Sequence, residues 1–475
     1  MQVVPPPGTF HGRHAVVIGA SISGLLAARV LAAHFDRVTL FDRDALPRDI
    51  ENRRGVPQGQ HGHGLLASGF SGLKRLFPTL ERDLLEQDAV PGDVIGDVLW
   101  FQHGHYKAQF ASGLDGLLLS RALLETTIRR HVSRLPNVAI EPGVHVQELM
   151  SAPDRIAGVR IQHRGERSEE VPADFVVDAS GRASRSPQWL DALGYGQPRA
   201  EEVAVDLGYT TRIFKRKPGD LGGNFGAVVA PKPPLERRAG FVLAMEGGRW
   251  VATLAGWLGD HAPTEMDGYL EFARSLGTSD IYDLVSTAEP LGDAVKYVFP
   301  SNLRRRYELM TRFPAGYLVI GDAVCSFNPL YGQGMSVATL EALGLADCLA
   351  GLTSIDRLWR PYSKAVGRVL ESPWTIAAGG DLAFVGVTGK RARGSGAVNW
   401  YLDHVHRAAS TDLGVCRTFF DVANLLKPAS ALFAPPVVAR VARASIFRRY
   451  PTALNFASGP GVNRRTLRTI RSSRS

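Results

Sequence analysis

The run HAVVIGASISGLLAARVLAAHFDRVTLFDRD, His14 to Asp44, decides the fold. Ala15 to Ile18 are uninterrupted apolar residues, as a parallel strand buried on both faces requires. GASISG, Gly19 to Gly24, turns the chain, and Leu25, Leu26, Ala28, Arg29 and Ala32 then recur at helical spacing. A second strand, Val38 to Phe41, ends on the acid Asp42. This order predicts a βαβ unit with a dinucleotide fingerprint, in which Gly19, Ser21 and Gly24 occupy the three glycine positions. Gly19 permits the tight turn, and Gly24 lets helix and strand pack closely. Gly19, Ala20, Ser21, Ser23 and Gly24 form the candidate pyrophosphate cradle, with N–H groups at a helix start facing the phosphates. Asp42, followed by Arg43, lies at the right distance to accept from a ribose hydroxyl. Ser21 in place of the middle glycine departs from the fingerprint.

The chain has 475 residues, too many for one small core, which predicts two or three domains. It is 45% hydrophobic and 21% charged, an ordinary globular balance. Pro5, Pro6 and Pro7 interrupt the N-terminus, so no signal peptide is read there, and no stretch is apolar enough to span a bilayer. Cys325, Cys348 and Cys416 are scattered and odd in number, which favours a reduced, cytoplasmic protein. The net charge of +9 is uneven: no acid follows Asp421, while Arg440, Arg443, Arg448, Arg449, Arg464, Arg465, Arg468, Arg471 and Arg474 accumulate. A solvated tail explains this; so does a dock for something acidic, such as a carrier protein or, weakly, an anionic membrane surface. Nucleic acid is disfavoured because the basic run lacks a recognisable binding module.

Further motifs follow in order. RRGVPQGQHGH, Arg53 to His63, is a Gly-, Arg- and His-rich loop leading into a helix near Leu65. It reads either as a flavin- or phosphate-facing loop with Arg54 and Gln58 as donors, or as a hydrogen-bonded surface loop. His61, His63, His103 and His105 stand in i, i+2 pairs with no completing Cys, Asp or Glu, so no metal is assigned. In SRALLE, Ser120 reads as an N-cap and Arg121 sits at a helix start, a position suited to phosphate and equally to a solvated Arg. Strands are expected around Val138 to Glu148 and Gly158 to His163, then Ala173 to Asp178 running into the turn DASGRAS. From about Tyr195 the texture becomes β-rich and partly alternating, with one helical stretch near Glu265 to Leu276. GYLVIGDAVCSFNPLYGQGM, Gly316 to Met335, then returns to a strand ending on Gly321-Asp322 and a Gly-rich loop opening a long helix. Beyond Ser354 the chain reads as mostly helical to about Arg449.

With three separated motifs in this order, the chain resembles FAD-dependent monooxygenases of the p-hydroxybenzoate hydroxylase fold over most of residues 14 to 370. RRGVPQGQHGH, SRALLE, DASGRAS and FNPLYGQGMS are most similar to the branch containing flavin epoxidases of polyether and other polyketide pathways. The resemblance implies an α/β (α+β) two-domain fold: a Rossmann-like, glutathione-reductase-type FAD domain, a mostly antiparallel sheet domain for substrate, and a C-terminal helical segment. The expected boundaries are 1–75, 112–194 and 303–370 for FAD; 76–111 and 195–302 for substrate; 371–449 for the helical segment; and 450–475 for a basic tail. It implies that Arg121 lies near FAD and that Asp322 binds the ribityl chain. Pro329, Gly332, Gln333, Gly334 and Met335 then line the flavin motif.

The implied reaction is monooxygenation by a flavin C4a-hydroperoxide, formed from O2, that epoxidises or hydroxylates an electron-rich alkene or aromatic intermediate. No side-chain acid or base is required, so no catalytic residue is nominated. Tyr209, Phe241, Met245 and Trp257 are candidate walls for a small-molecule substrate, free or carrier-protein-bound. Ser180-Gly181 stands where nicotinamide-using hydroxylases carry Asp-Gly, so NAD(P)H acts directly or through a partner flavin reductase. Halogenation is disfavoured, because no Trp-x-Trp-x-Ile-Pro segment is present. Two rival readings are a FAD-dependent reductase of a polyprenyl or unsaturated substrate, and a non-catalytic flavoprotein binding a partner through its basic tail.

Overall fold

A computed structural model describes residues 12–53, 55 and 57–446; the basic tail 450–475 and Arg54 lie outside the described residues. These residues divide into two compact units, and each is discontinuous in sequence. The first takes the described residues of Met1–Gln87, Ser120–Val203 and Ser301–Ala378. The second takes those of Asp88–Leu119, Ala204–Pro300 and Gly379–Ser475.

The first unit is built on the opening βαβ run. Strand β1 (Gly12–Ile18), helix α1 (Ile22–Leu31) and strand β2 (Phe35–Asp42) follow in order. Helix α2 (Arg121–Ser133), strand β3 (Val138–Pro142), strand β4 (Phe175–Asp178), strand β5 (Tyr317–Val319) and helix α3 (Gly334–Ala350) complete the frame. The sheet order is β5-β4-β1-β2-β3, every pair parallel. Val16 and Val17 at its centre are wholly buried, which explains the uninterrupted apolar run. Between β3 and β4 stands a separate antiparallel sheet of Val144–Ala152, Arg155–His163 and Ser168–Pro172.

The second unit is built on a mostly antiparallel sheet in which Val295–Arg305, Ala200–Lys215, Arg249–Gly256, Arg238–Met245, Gly226–Ala230, Val98–Gln102 and His105–Tyr106 follow in order. Gly226–Ala230 and Val98–Gln102 pair in parallel. Phe214, Val242, Ala244, Trp250, Ala252 and Leu254 point to one face and pack on Tyr269, Phe272 and Ile281 of two short helices, Met266–Arg274 and Asp280–Val285. Helices α4 (Ser395–Ala408), α5 (Leu413–Ala423) and α6 (Pro435–Ile446) close the described chain. No helix among the described residues is long and apolar enough to cross a membrane.

Candidate functional site

In the first unit, the turn after β1 tolerates no side chain at its two glycines. Gly19 adopts φ 101° and donates its N–H to Phe41 O at 2.7 Å. A Cβ on Gly24 would lie 1.8 Å from Gly19 O, inside any contact distance. Ser21 is the N-cap of α1, but its side chain does not bond the helix. Its Oγ instead accepts from Arg121 Nη2 at 2.9 Å and donates to Glu125 Oε2 at 3.1 Å. Ser120, with its own Oγ accepting from Leu123 N–H, starts α2 so that Arg121 is its first residue. The guanidinium is thereby held at the positive end of α1. A cation there is unfavourable alone and becomes favourable when an anion lies between.

Asp42 is buried, and its carboxylate accepts from Ala20 N–H at 2.7 Å, Asp44 N–H at 2.9 Å and Arg53 Nη1 at 3.0 Å. Arg53, also buried, forms a second ion pair from Nε to Glu125 Oε1 at 2.7 Å. Burial works against the Arg53 charge, but Glu125, Asp42 and Asp44 together raise its pKa above the ordinary value. Arg43 is exposed. Gln58 lies in the short helical turn Pro57–Gln60, with its side chain outside the described residues.

The second Gly-rich segment completes the arrangement. Gly321, at φ 69°, has no room for a Cβ, which would meet Ser23 Oγ at 2.2 Å. That contact places the β5 turn against the α1 turn. Asp322 follows; burial raises its pKa, while Arg121 and Arg182 facing it act in the opposite sense. Beneath it Glu341 is wholly buried and accepts Gly321 N–H at 2.6 Å; burial raises its pKa to about 8. Pro329 opens the turn Pro329–Tyr331, capped by Asn328, and Gly332 at φ 65° leads to Gln333 and α3. Gly334 starts α3, where a Cβ would lie 3.9 Å from Asp322 Oδ1, and Met335 is buried in its first turn. Gln333 is 1% exposed, yet neither carboxamide atom finds a hydrogen-bond partner. A buried amide in that state fits a polar ligand that would satisfy it.

Three motifs separated in sequence, Gly19 to Gly24, Arg121 and Gly321 to Met335, are thus brought together in one unit. Two uncapped helix starts, an arginine, buried acids and an orphaned amide suit an elongated molecule with anionic and hydrogen-bonding parts, as FAD is. Sequence reading missed Arg53, Glu125 and Glu341. The i, i+4 spacing of Arg121 and Glu125 was the available signal for one of them.

Asp178 of DASGRAS is fully buried and turned inward, accepting from Ser180 N–H at 2.8 Å, from Ser184 Oγ at 2.5 Å and from Ser186 Oγ. In the second unit, strand alternation puts Tyr209, Phe241 and Met245 on the sheet face opposite the two short helices. Tyr209 and Met245 are buried and Phe241 half-buried. Trp257, just past a strand end, stacks on Phe384 at 4.9 Å and donates Nε1–H to Asp381 at 3.0 Å. Its indole is a packing element of that unit. His61 is buried, which lowers its pKa to about 4. Among the described residues no three His, Cys, Asp or Glu side chains group to hold a metal ion.

No family model matches the chain. Protein Rv3254 of Mycobacterium tuberculosis is 33% identical over 454 residues, covering 90% of this chain and 92% of its own. Kynurenine 3-monooxygenase of Salinispora arenicola is 25% identical over 378 residues, 73% of this chain and 76% of its own. Among solved structures, PqsL of Pseudomonas aeruginosa, a probable FAD-dependent monooxygenase, superposes with a TM-score of 0.57 at 13% identity, covering 86% of this chain and 99% of its own.

Proposed function

Because the chain belongs to the family of Protein Rv3254 and has the p-hydroxybenzoate hydroxylase fold of FAD-dependent monooxygenases, we propose that it binds FAD and inserts one oxygen atom of O2 into an electron-rich alkene or aromatic intermediate of natural-product biosynthesis. The observation that carries the reading is the meeting of Ser21, Arg121, Asp322 and Gln333 in one unit. When bound and reduced, FAD supplies the oxygen chemistry; one oxygen atom goes to the substrate and the other leaves as water. The chain's own residues bind and orient. N–H groups at the start of α1, with Arg121, hold the pyrophosphate. Asp42 accepts from the adenosine ribose and Asp322 from the ribityl chain. N–H groups from Gly332 to Met335 and the Gln333 amide face the flavin ring, where a helix start stabilises negative charge. Tyr209, Phe241 and Met245 are proposed walls for the substrate.

For electrons, the inward turn of Asp178 leaves the middle motif without an acid for nicotinamide, which supports delivery by a partner flavin reductase. Holoprotein given NADPH alone is then expected to reduce its FAD slowly, and quickly with a flavin reductase added. The function is tested by reducing FAD-loaded protein and mixing it with aerated buffer. A transient absorbance that precedes the return of oxidised flavin is expected. Prompt reoxidation without it favours a reductase, and purified protein that is colourless and takes up no added FAD overturns the reading.

A further inference from the structure

The charge excess of this protein sits at one end. Twelve Lys and Arg and three Asp fall at or after Ser395, which accounts for the whole net charge of +9; the 394 residues before it carry the two signs equally. The same end leaves apolar side chains in solvent: Trp400 is 66% exposed, Leu413 53%, Phe433 44% and Val438 39%. Contacts tie these groups to the line of α6. Phe433, just before α6, packs its ring on Tyr401, next to Trp400, at 5.0 Å between centroids. Arg440 Nη1 lies 2.9 Å from Asp412 Oδ1, next to Leu413, and Arg443 reaches the other Asp412 oxygen at 3.6 Å. That acid is neutralised from α6. The helix buries Val437 and Val441 and turns Val438, Ala439, Arg440, Ala442 and Arg443 outward. Beyond it the sequence adds seven arginines and no acid.

We infer that α6, with Trp400, Leu413 and Phe433 beside it, docks on an anionic lipid surface. A bilayer supplies both complements at once: phosphates for the guanidiniums, and acyl carbon for apolar groups that otherwise face water. Arginine suits the arrangement because its stem lies along apolar surface while its head stays among the phosphates. Basic residues are drawn to the negative potential of such a surface, so charge recruits and the apolar groups hold.

The test is flotation of the full-length protein with vesicles of phosphatidylcholine, with and without phosphatidylglycerol. Co-flotation is expected only with phosphatidylglycerol, and raised salt should release the protein. The double substitution Trp400→Ser/Phe433→Ser changes exposed side chains and keeps every charge. It should lower vesicle binding roughly tenfold while the protein stays folded at the assay temperature, as circular dichroism checks, since the loss of the Phe433–Tyr401 contact lowers the melting temperature without changing any charge. Absence of binding to phosphatidylglycerol vesicles at low salt overturns the inference. Binding that this variant leaves intact overturns the apolar dock. Equal affinity for soluble polyaspartate shows that charge alone is read, and rules out the bilayer as the partner.

Discussion

Arg121 and Gln333 make opposite demands on the apoprotein, and this gives the residue-scale reading its clearest tests. Arg121 pairs with Ser21 and Glu125 without any ligand, but Glu125 keeps Arg53 and Arg129, so Arg121→Gln should lower the melting temperature of the apoprotein only slightly. Its FAD affinity should drop roughly tenfold or more, the worth of a charge-assisted hydrogen bond, as read by titrating apoprotein with FAD. Gln333 has buried polar atoms without partners, so Gln333→Leu should raise apoprotein stability by about 1–3 kcal/mol while weakening FAD retention. A Leu variant that is less stable, or that holds FAD as well as the parent, contradicts the role given to Gln333. Arg121 was legible in the sequence at a helix start, and Gln333 only through the Gly-rich motif that carried the family resemblance. Arg53 was not: it adjoins Arg54 in a loop without periodicity, and only the fold shows that it bridges Asp42 and Glu125.

At the scale of elements, the α1 start depends on the absence of one methyl group. Gly24→Ala places a carbon against Gly19 O, a backbone atom that cannot move aside without opening the β1 turn. The variant should be recovered poorly and without FAD, as its flavin-to-protein absorbance ratio will show. A second element-scale test concerns pH. In the second unit, α4 packs on the loop and strands around His103. His103 stacks on His406 at 3.8 Å, and its Nδ1 lies 3.3 Å from Asp403, which also pairs with Lys232 and Arg407. Lys107 donates to the carbonyls of Gln102 and His406, at 3.2 and 3.1 Å. Burial lowers His103 from 6.5 to about 4 and Lys107 from 10.5 to about 7. Each group binds protons more readily in the unfolded chain, so its stabilising contribution is complete above the unfolded value and is lost as pH falls through the folded one. For His103 the window is pH 6.5 to 4. The urea midpoint should fall between pH 7 and pH 5, and His103→Asn should flatten that slope. The parallel strands and the three Gly turns were legible because burial on both faces and positive φ leave marks on composition. The α4 contact was not, since His103 and His406 are remote in sequence and no local pattern joins them.

The charge excess lies in the last 81 residues of the sequence, so the protein's behaviour should change with salt more than the balanced remainder of the chain would suggest. At low ionic strength the full-length protein should bind a cation-exchange resin more tightly than a form ending at Ile446, which loses seven arginines and no acid, compared by elution salt. The interleaving of the two units has another consequence. Strand β5 is the edge of the first sheet, and β4 beside it must remain without that neighbour until Val319 has been translated. By then most of the second sheet's strands have already emerged from the ribosome, and they are written between segments of the first. No single cut in the gene separates the two halves, so complementation by split fragments should fail. The nascent polypeptide, with apolar strand edges waiting for distant partners, should lean on chaperones during synthesis.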